Sequence, residues 1–165
     1  FCIEALAQLP VACPLQVVGK GDPHPHLRRA AQLGVAARVE FLGTTVDLTK
    51  AYPAADLLVH PAIYEPFANV CLEALACGLP VVTSRVNGAS EVLTHGRDGA
   101  IVEDPADVRE LADAIRLFLD PARRAAAARA ARATAEAHPF ERNVVETLEV
   151  LERVRAERGQ RLPRG

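Results

Sequence analysis

Asp56-Leu57-Leu58-Val59-His60, then Pro66–Cys77, then Gly78-Leu79-Pro80-Val81-Val82-Thr83, is the stretch that decides the fold. Its first and last parts are short apolar runs bounded by Pro or Gly, the pattern of parallel strands buried on both faces. The middle part has helical length. Pro66 suits the first helical position, where its missing N–H would have had no partner, and Gly78 suits the stop. Strand, helix and strand in that order make a βαβ unit. The alternation continues outward in both directions. Leu15–Gly19, Arg38–Gly43 and Gly99–Val102 read as further strands. His26–Leu33, closed by Gly34, and Ala106–Leu119, with apolar residues at 108, 111, 115, 118 and 119, read as helices. Asp120-Pro121 then breaks the chain, and Ala122–Ala137 reads as an Ala/Arg helix. A final helix follows His138-Pro139, with apolar residues at 140, 144, 145, 148, 151 and 154. The fold class predicted is α/β with a doubly wound parallel sheet.

Length and composition fit one such domain. The chain has 165 residues, half of them apolar and 24% charged, with a formal net charge of −2. A chain of about 150 residues buries enough surface to hold a core without staples. The charge balance excludes a disordered tail and gives no support for nucleic-acid binding by bulk charge. No apolar run approaches the ~20 residues of a membrane span. The first residues, Phe1-Cys2-Ile3-Glu4, are unlike a signal peptide, and the chain lacks methionine altogether, so a piece of a longer protein is expected. Cys2, Cys13, Cys71 and Cys77 form no C-x-x-C pair and lie in apolar contexts. They read as reduced, structural thiols of a cytoplasmic protein.

In parallel sheets of this kind, ligands bind outside the carboxyl ends of the strands. The segment Glu65-Pro66-Phe67-Ala68-Asn69-Val70-Cys71-Leu72-Glu73 leaves one of those ends. With Pro66 at the first helical position, Glu65 falls near the N-cap. The N–H groups of Phe67 to Asn69 then face the carboxyl edge, a site suited to phosphate. Glu65 and Glu73 are eight residues apart, about 12 Å of rise and roughly 80° of turn in a helix. That is too far for a shared acid–base pair. It allows the two carboxylates to flank an elongated ligand, each accepting from sugar hydroxyls. A nucleotide-sugar, with a sugar at each end of a diphosphate, has that shape. The same glutamates also fit plain compensation of a helix dipole.

The passage resembles the signature of retaining glycosyltransferases of the GT-B fold, family 4, whose nucleotide-sugar domains carry Glu-Pro-Phe-Gly, Glu-Ala and Gly-x-Pro-Val in this order. Gly19-Lys20-Gly21 resembles the family's G-x-G turn and Val39–Gly43 its V-x-F-L-G strand. Ala54-Ala55-Asp56 precedes the next strand, as in the family. Asn87-Gly88 stands where Gly-Gly is usual, followed by Glu91, and Gly96–Gly99 resembles the G-x-x-G turn. The likeness covers nearly residues 1–120.

The resemblance implies a Rossmann-like donor domain over 1–138, the C-terminal half of a GT-B enzyme. It further implies a crossover helix over 139–158 and a frayed tail over 159–165. The implied donor is a nucleotide-sugar, with a UDP-hexose expected, and the hexose goes to a glycan or lipid-linked acceptor of lipopolysaccharide or another surface polysaccharide. Glu65 would hold the transferred sugar and count as the catalytic residue. Glu73 would hold the ribose, and Phe67, Ala68, Asn69 and Val70 would offer backbone contacts. Gly19, Lys20 and Gly43 would line the base and phosphate side. No metal and no separate cofactor are expected. Ala68 and Asn69 depart from the usual Gly and aliphatic residue. An N-terminal acceptor domain and the basic pair that neutralises the diphosphate are missing from the chain, so weak donor binding and no turnover are expected of it alone. A non-catalytic nucleotide-sugar module, or a degenerate remnant, is the other reading.

Remaining features carry less. His24-Pro25-His26 reads as a surface loop, His60 as packing or site lining, and Glu91 as support for the loop at Asn87-Gly88. Arg123, Arg124, Arg129 and Arg132 form either a solvated basic face or a peripheral contact with anionic lipid at the inner membrane. The apolar stripe from Phe140 to Val154 is expected to lack part of its partner.

Overall fold

A computed structural model describes residues 1–44 and 47–161, with side chains through residue 158. The strands are those the sequence predicts, and two helices, the first and the third, are added to the predicted ones: α1 (Cys2–Leu6), β1 (Leu15–Val18), α2 (His24–Gln32), β2 (Val39–Gly43), α3 (Leu48–Ala54), β3 (Leu58–His60), α4 (Asn69–Ala76), β4 (Val81–Ser84), β5 (Gly99–Val102), α5 (Val108–Arg116), α6 (Pro121–Glu136) and α7 (Phe140–Arg161). A single turn of 3-10 helix, Gly88–Val92, lies between β4 and β5.

All pairings are parallel. β1 pairs with β2, and β3-β4-β5 form a second ladder with Leu58 opposite Val81 and Val81 opposite Gly99. The strands therefore form two parallel sheets, not one continuous one, among the described residues. A shared core joins the two. Leu15, Val17 and Phe41 from the first sheet pack with Val59, Val82, Ala100 and Val102 from the second, under α1, α2 and α5. Leu58, Val81 and Ile101 point to the other face, into a cluster with Leu75 of α4 and Ala131 of α6. This two-residue alternation between two covered faces is why β4 and β5 are buried along their whole length and read as plain apolar runs.

Local chemistry explains the helix boundaries. Asp107 caps α5 by accepting from the N–H groups of Arg109 and Glu110, and Asp120 caps α6 by accepting from Arg123 N. Pro121 takes the first position of α6. His24 and Pro25 lie inside the first turn of α2, with Asp22 accepting from His24 N, so His-Pro-His opens a helix where a loop was expected. The His26 ring stacks on Phe41, centroids 6.2 Å apart. Buried Asp98 accepts from Thr94 N and from Thr134 Oγ1, tying the turn before β5 to α6.

Helix α7 continues through Arg161, beyond residue 158 where the sequence reading ended it, and residues 162–165 lie outside the described residues. Its Phe140, Val144, Val145, Leu148, Leu151 and Val154 are exposed. No helix of the described residues is long and apolar enough to cross a membrane.

Candidate functional site

Four strand ends, in two pairs, carry the candidate site residues. Past β3 the chain runs through Pro61 to Glu65, and past β4 it runs to Asn87. The two segments meet in a short parallel bridge between Glu65 and Asn87. Glu65 N donates to Val86 O, and Gly88 N donates to Glu65 O at 3.0 Å. A Cβ on Gly88 would stand 1.9 Å from the Pro66 carbonyl oxygen, so only glycine admits this approach.

This pairing changes the expected start of the helix. The bridge holds Glu65, the chain bends at Pro66, and α4 begins only at Asn69 with Ala68 as its extended N-cap. Pro66 and Phe67 lie outside the helix, and Glu65 lies three residues before the N-cap. The helical estimate of separation between Glu65 and Glu73 does not apply, because only Glu73 is on the helix. The expected donors also change. Phe67 N bonds to the carboxylate of Glu65 at 3.3 Å, and Ala68 N bonds to Asn87 Oδ1 at 3.2 Å. Asn69 N and Val70 N remain as the open donors of the first turn among the described residues.

Asn87 is fully buried, and its amide is bonded at both ends. Oδ1 accepts from Ala68 N and from Ala89 N, while Nδ2 donates to Thr83 Oγ1 at 2.9 Å and meets Cys71 Sγ at 3.7 Å. Thr83 Oγ1 donates onward to His60 O. One side chain thus joins the ends of β3 and β4, the loop at Glu65 and the buried face of α4. The sequence reading noted Asn87 only as a departure from Gly-Gly and gave the loop's support to Glu91. Glu91 is exposed, and its carboxylate makes no hydrogen bond or ion pair among the described residues.

Glu73 lies one turn into α4, exposed to solvent, and its Oε2 accepts a 2.8 Å bond from the Tyr52 hydroxyl. Tyr52 is a second residue the sequence reading missed. It belongs to α3, which was not predicted because Pro53 interrupts the pattern. The signal that could have found it was Asp47, whose carboxylate accepts from Thr49 N as an N-cap. Burial, and then the carboxylate of Glu73, push the Tyr52 phenol well above its ordinary value. Burial likewise pushes the Cys71 thiol up to about 11.

The other pair of strand ends is β1 with β2. Gly19 N donates to Gly43 O at 3.0 Å, which brings the Gly19-Lys20-Gly21 turn against the end of β2. Gly43 takes φ 70°, a conformation that favours glycine. Lys20 is exposed and forms no ion pair among the described residues. No hydrogen bond joins this turn to the Glu65–Glu73 group among the described residues; the two sit at the carboxyl ends of separate sheets. His60 is half-buried at the end of β3. Among the described residues, no three His, Cys, Asp or Glu side chains group as a metal site. A cleft of about 270 Å³ lined by Asp56, Leu79, Pro80 and Arg124 lies at the opposite, amino end of β3 and β4. Two of the four arginines on α6 serve the fold: Arg124 bonds Asp56 and Arg132 bonds Glu136 and the Ala76 carbonyl.

The family described as Glycosyl transferases group 1 matches residues 1–120. The chain belongs to the group 1 glycosyltransferase family. It is 37% identical over 121 residues to the lipopolysaccharide glucosyltransferase WaaG of Escherichia coli, a match covering 71% of this chain and 32% of that protein. It is 38% identical over 148 residues to the D-inositol 3-phosphate glycosyltransferase of Salinispora tropica, covering 87% of this chain and 31% of that protein. The chain thus spans about a third of the length of these relatives. Among solved structures, HepE of Anabaena in complex with UDP superposes with a TM-score of 0.77 at 32% identity, covering 90% of this chain and 44% of that one. The architecture of this group 1 chain is the Rossmann-like α/β fold of a GT-B glycosyltransferase's C-terminal half.

Proposed function

We propose that this chain is the donor-binding part of a retaining hexosyltransferase of the family 4 kind, using a nucleotide-sugar, a UDP-hexose. The acceptor is a glycan or a lipid-linked glycan of lipopolysaccharide or a related surface polysaccharide, and the enzyme works in the cytoplasm. The observation that carries the reading is the pinned turn at Glu65–Ala68. It holds the Glu65 carboxylate on Phe67 N, two residues before the open amide of Asn69 that starts α4, with a second carboxylate, Glu73, one turn into that helix. WaaG among the relatives, and the UDP and UDP-glucose complexes of HepE, support the choice of donor and acceptor.

In this reading the diphosphate lies over the start of α4, where open N–H groups and the helix dipole offset its charge without a metal. The backbone of Phe67 to Val70 borders the diphosphate and the sugar. Glu65 accepts from hydroxyls of the transferred hexose, and Glu73 accepts from the ribose. Gly19, Lys20 and Gly43 border the base and the phosphates. The acceptor attacks on the face from which the diphosphate departs, and the leaving phosphate oxygens take the acceptor's proton, so the anomeric configuration is kept. The acceptor side would come from a further domain, and this chain alone would transfer no sugar.

Calorimetric titration with UDP, GDP and ADP and their glucose or mannose conjugates tests the reading. One nucleotide series is expected to bind, and Glu73→Ala is expected to weaken it by about 1.5–3 kcal/mol, the worth of hydrogen bonds to a charged group. Equal affinity of the variant and the parent would overturn the role given to Glu73. Binding of none of the nucleotides would overturn the donor reading.

A further inference from the structure

Glu73 has an unusual neighbour for an exposed helix residue. A glutamate on a solvated helix face ordinarily samples many rotamers, and holding a rotamer-rich side chain at a binding site costs about 0.5–1.5 kcal/mol. Here the carboxylate is already held. The Tyr52 ring is anchored among Leu75, Leu79 and Ala131 with only 9% of its surface exposed, and its hydroxyl reaches Glu73 Oε2 at 2.8 Å across 21 positions of sequence. The anchor stands on a different element from the helix it holds. Glu73 Oε1 is left without a hydrogen-bond partner among the described residues.

We propose that Tyr52 is a positioning residue for the donor's ribose: its buried hydroxyl locks one oxygen of Glu73 so that the other is presented, pre-oriented, to the ribose hydroxyls. This rests on the donor-site reading above. The bond is directional, since the phenol hydroxyl donates and the carboxylate oxygen accepts. Ribose recognition then depends on a residue that does not touch the ligand.

The test compares UDP with 2′,3′-dideoxy-UDP, which lacks the hydroxyls Glu73 would meet, by titrating the full chain under protein-observed NMR. Wild type, Tyr52→Phe, Glu73→Ala and the double variant are measured, with urea unfolding of each as a control for folding. Tyr52→Phe keeps the ring and removes only the hydroxyl. It is expected to weaken UDP by about two- to tenfold, the value of lost pre-orientation, and to leave dideoxy-UDP unchanged. In the Glu73→Ala background it is expected to change neither. A Tyr52→Phe variant with wild-type discrimination, beside a Glu73→Ala variant that has lost it, would overturn the positioning role and leave the donor site standing. Loss of affinity for both nucleotides in equal measure would make Tyr52 a packing residue only. Discrimination that survives Glu73→Ala would overturn the ribose role of Glu73 itself, and with it this inference.

Discussion

Replacing Asn87 by Ala removes one amide, and the structure says what that amide holds. Asn87 is fully buried, so water cannot replace it easily. Truncation leaves the N–H groups of Ala68 and Ala89 without their acceptor, both in buried surroundings. Each orphaned group costs about 1–3 kcal/mol, so the two together predict a loss of roughly 2–6 kcal/mol. Thr83 contributes little to this sum, because its hydroxyl still donates to His60 O. Against a usual domain stability of about 5–15 kcal/mol, the loss is large without abolishing the fold. Urea unfolding followed by circular dichroism measures it. With a slope of about 2 kcal/mol/M, the midpoint is expected to fall by about 1–3 M. Amide exchange supplies the local readout: the Ala68 and Ala89 amides should lose protection beyond what the global change accounts for. A midpoint within about 0.25 M of wild type would refute the reasoning, since it would mean that the loop at Glu65 is not held by this side chain.

Gly88→Ala places a Cβ against the Pro66 carbonyl oxygen, so the Glu65–Ala68 turn must move. A cost of about 1–3 kcal/mol is expected, read as a melting temperature lower by about 2–12 °C; an unchanged melting temperature would show that the close approach is absent. For the cysteines, a disulfide-exchange thiol reagent should label exposed Cys77 promptly at pH 8 and reach buried Cys71 only on unfolding. Cys71 also gives a pH dependence of known sign. Its thiol is raised from 9.0 to about 11 in the folded chain, so the folded state keeps a proton that the unfolded state releases. That stability is intact below pH 9.0 and is lost as pH rises through about 11. Tyr52 and Cys2, also raised by burial, act in the same direction, so Cys71→Ala should reduce the alkaline slope without removing it; an equal slope in the variant would count against a buried thiol at this position.

The fold and the site were not equally legible. The strands were legible because β4 and β5 are buried on both faces, and burial on both faces writes itself as an uninterrupted apolar run between Gly and Pro. Helix α6 was legible from its run of Ala and Arg over 122–137, because helix propensity is local, while Asp120-Pro121, read as a break, forms its N-cap and first residue. The order of these elements determined the α/β class, and Glu65, Glu73 and Gly88 could be picked out before any coordinates. Helix α3 was hidden by Pro53. The start of α4 was misplaced by three residues because Pro66 is a local signal, and a non-local pairing of Glu65 with Val86 to Gly88 overrode it. Local signals could not show that pairing, because its partners are more than 20 residues apart.

By itself, then, the sequence determined the strands, most of the helices and their order, since these follow from short-range periodicity and turn residues. Only the tertiary structure decided which amides of the Glu65–Val70 segment stay open, that Asn87 fastens the turn, that the strands divide into two sheets, and that Tyr52 grips Glu73. Each of those depends on hydrogen bonds between groups far apart in the chain, whose partners are chosen by packing and by the need to satisfy every buried polar atom.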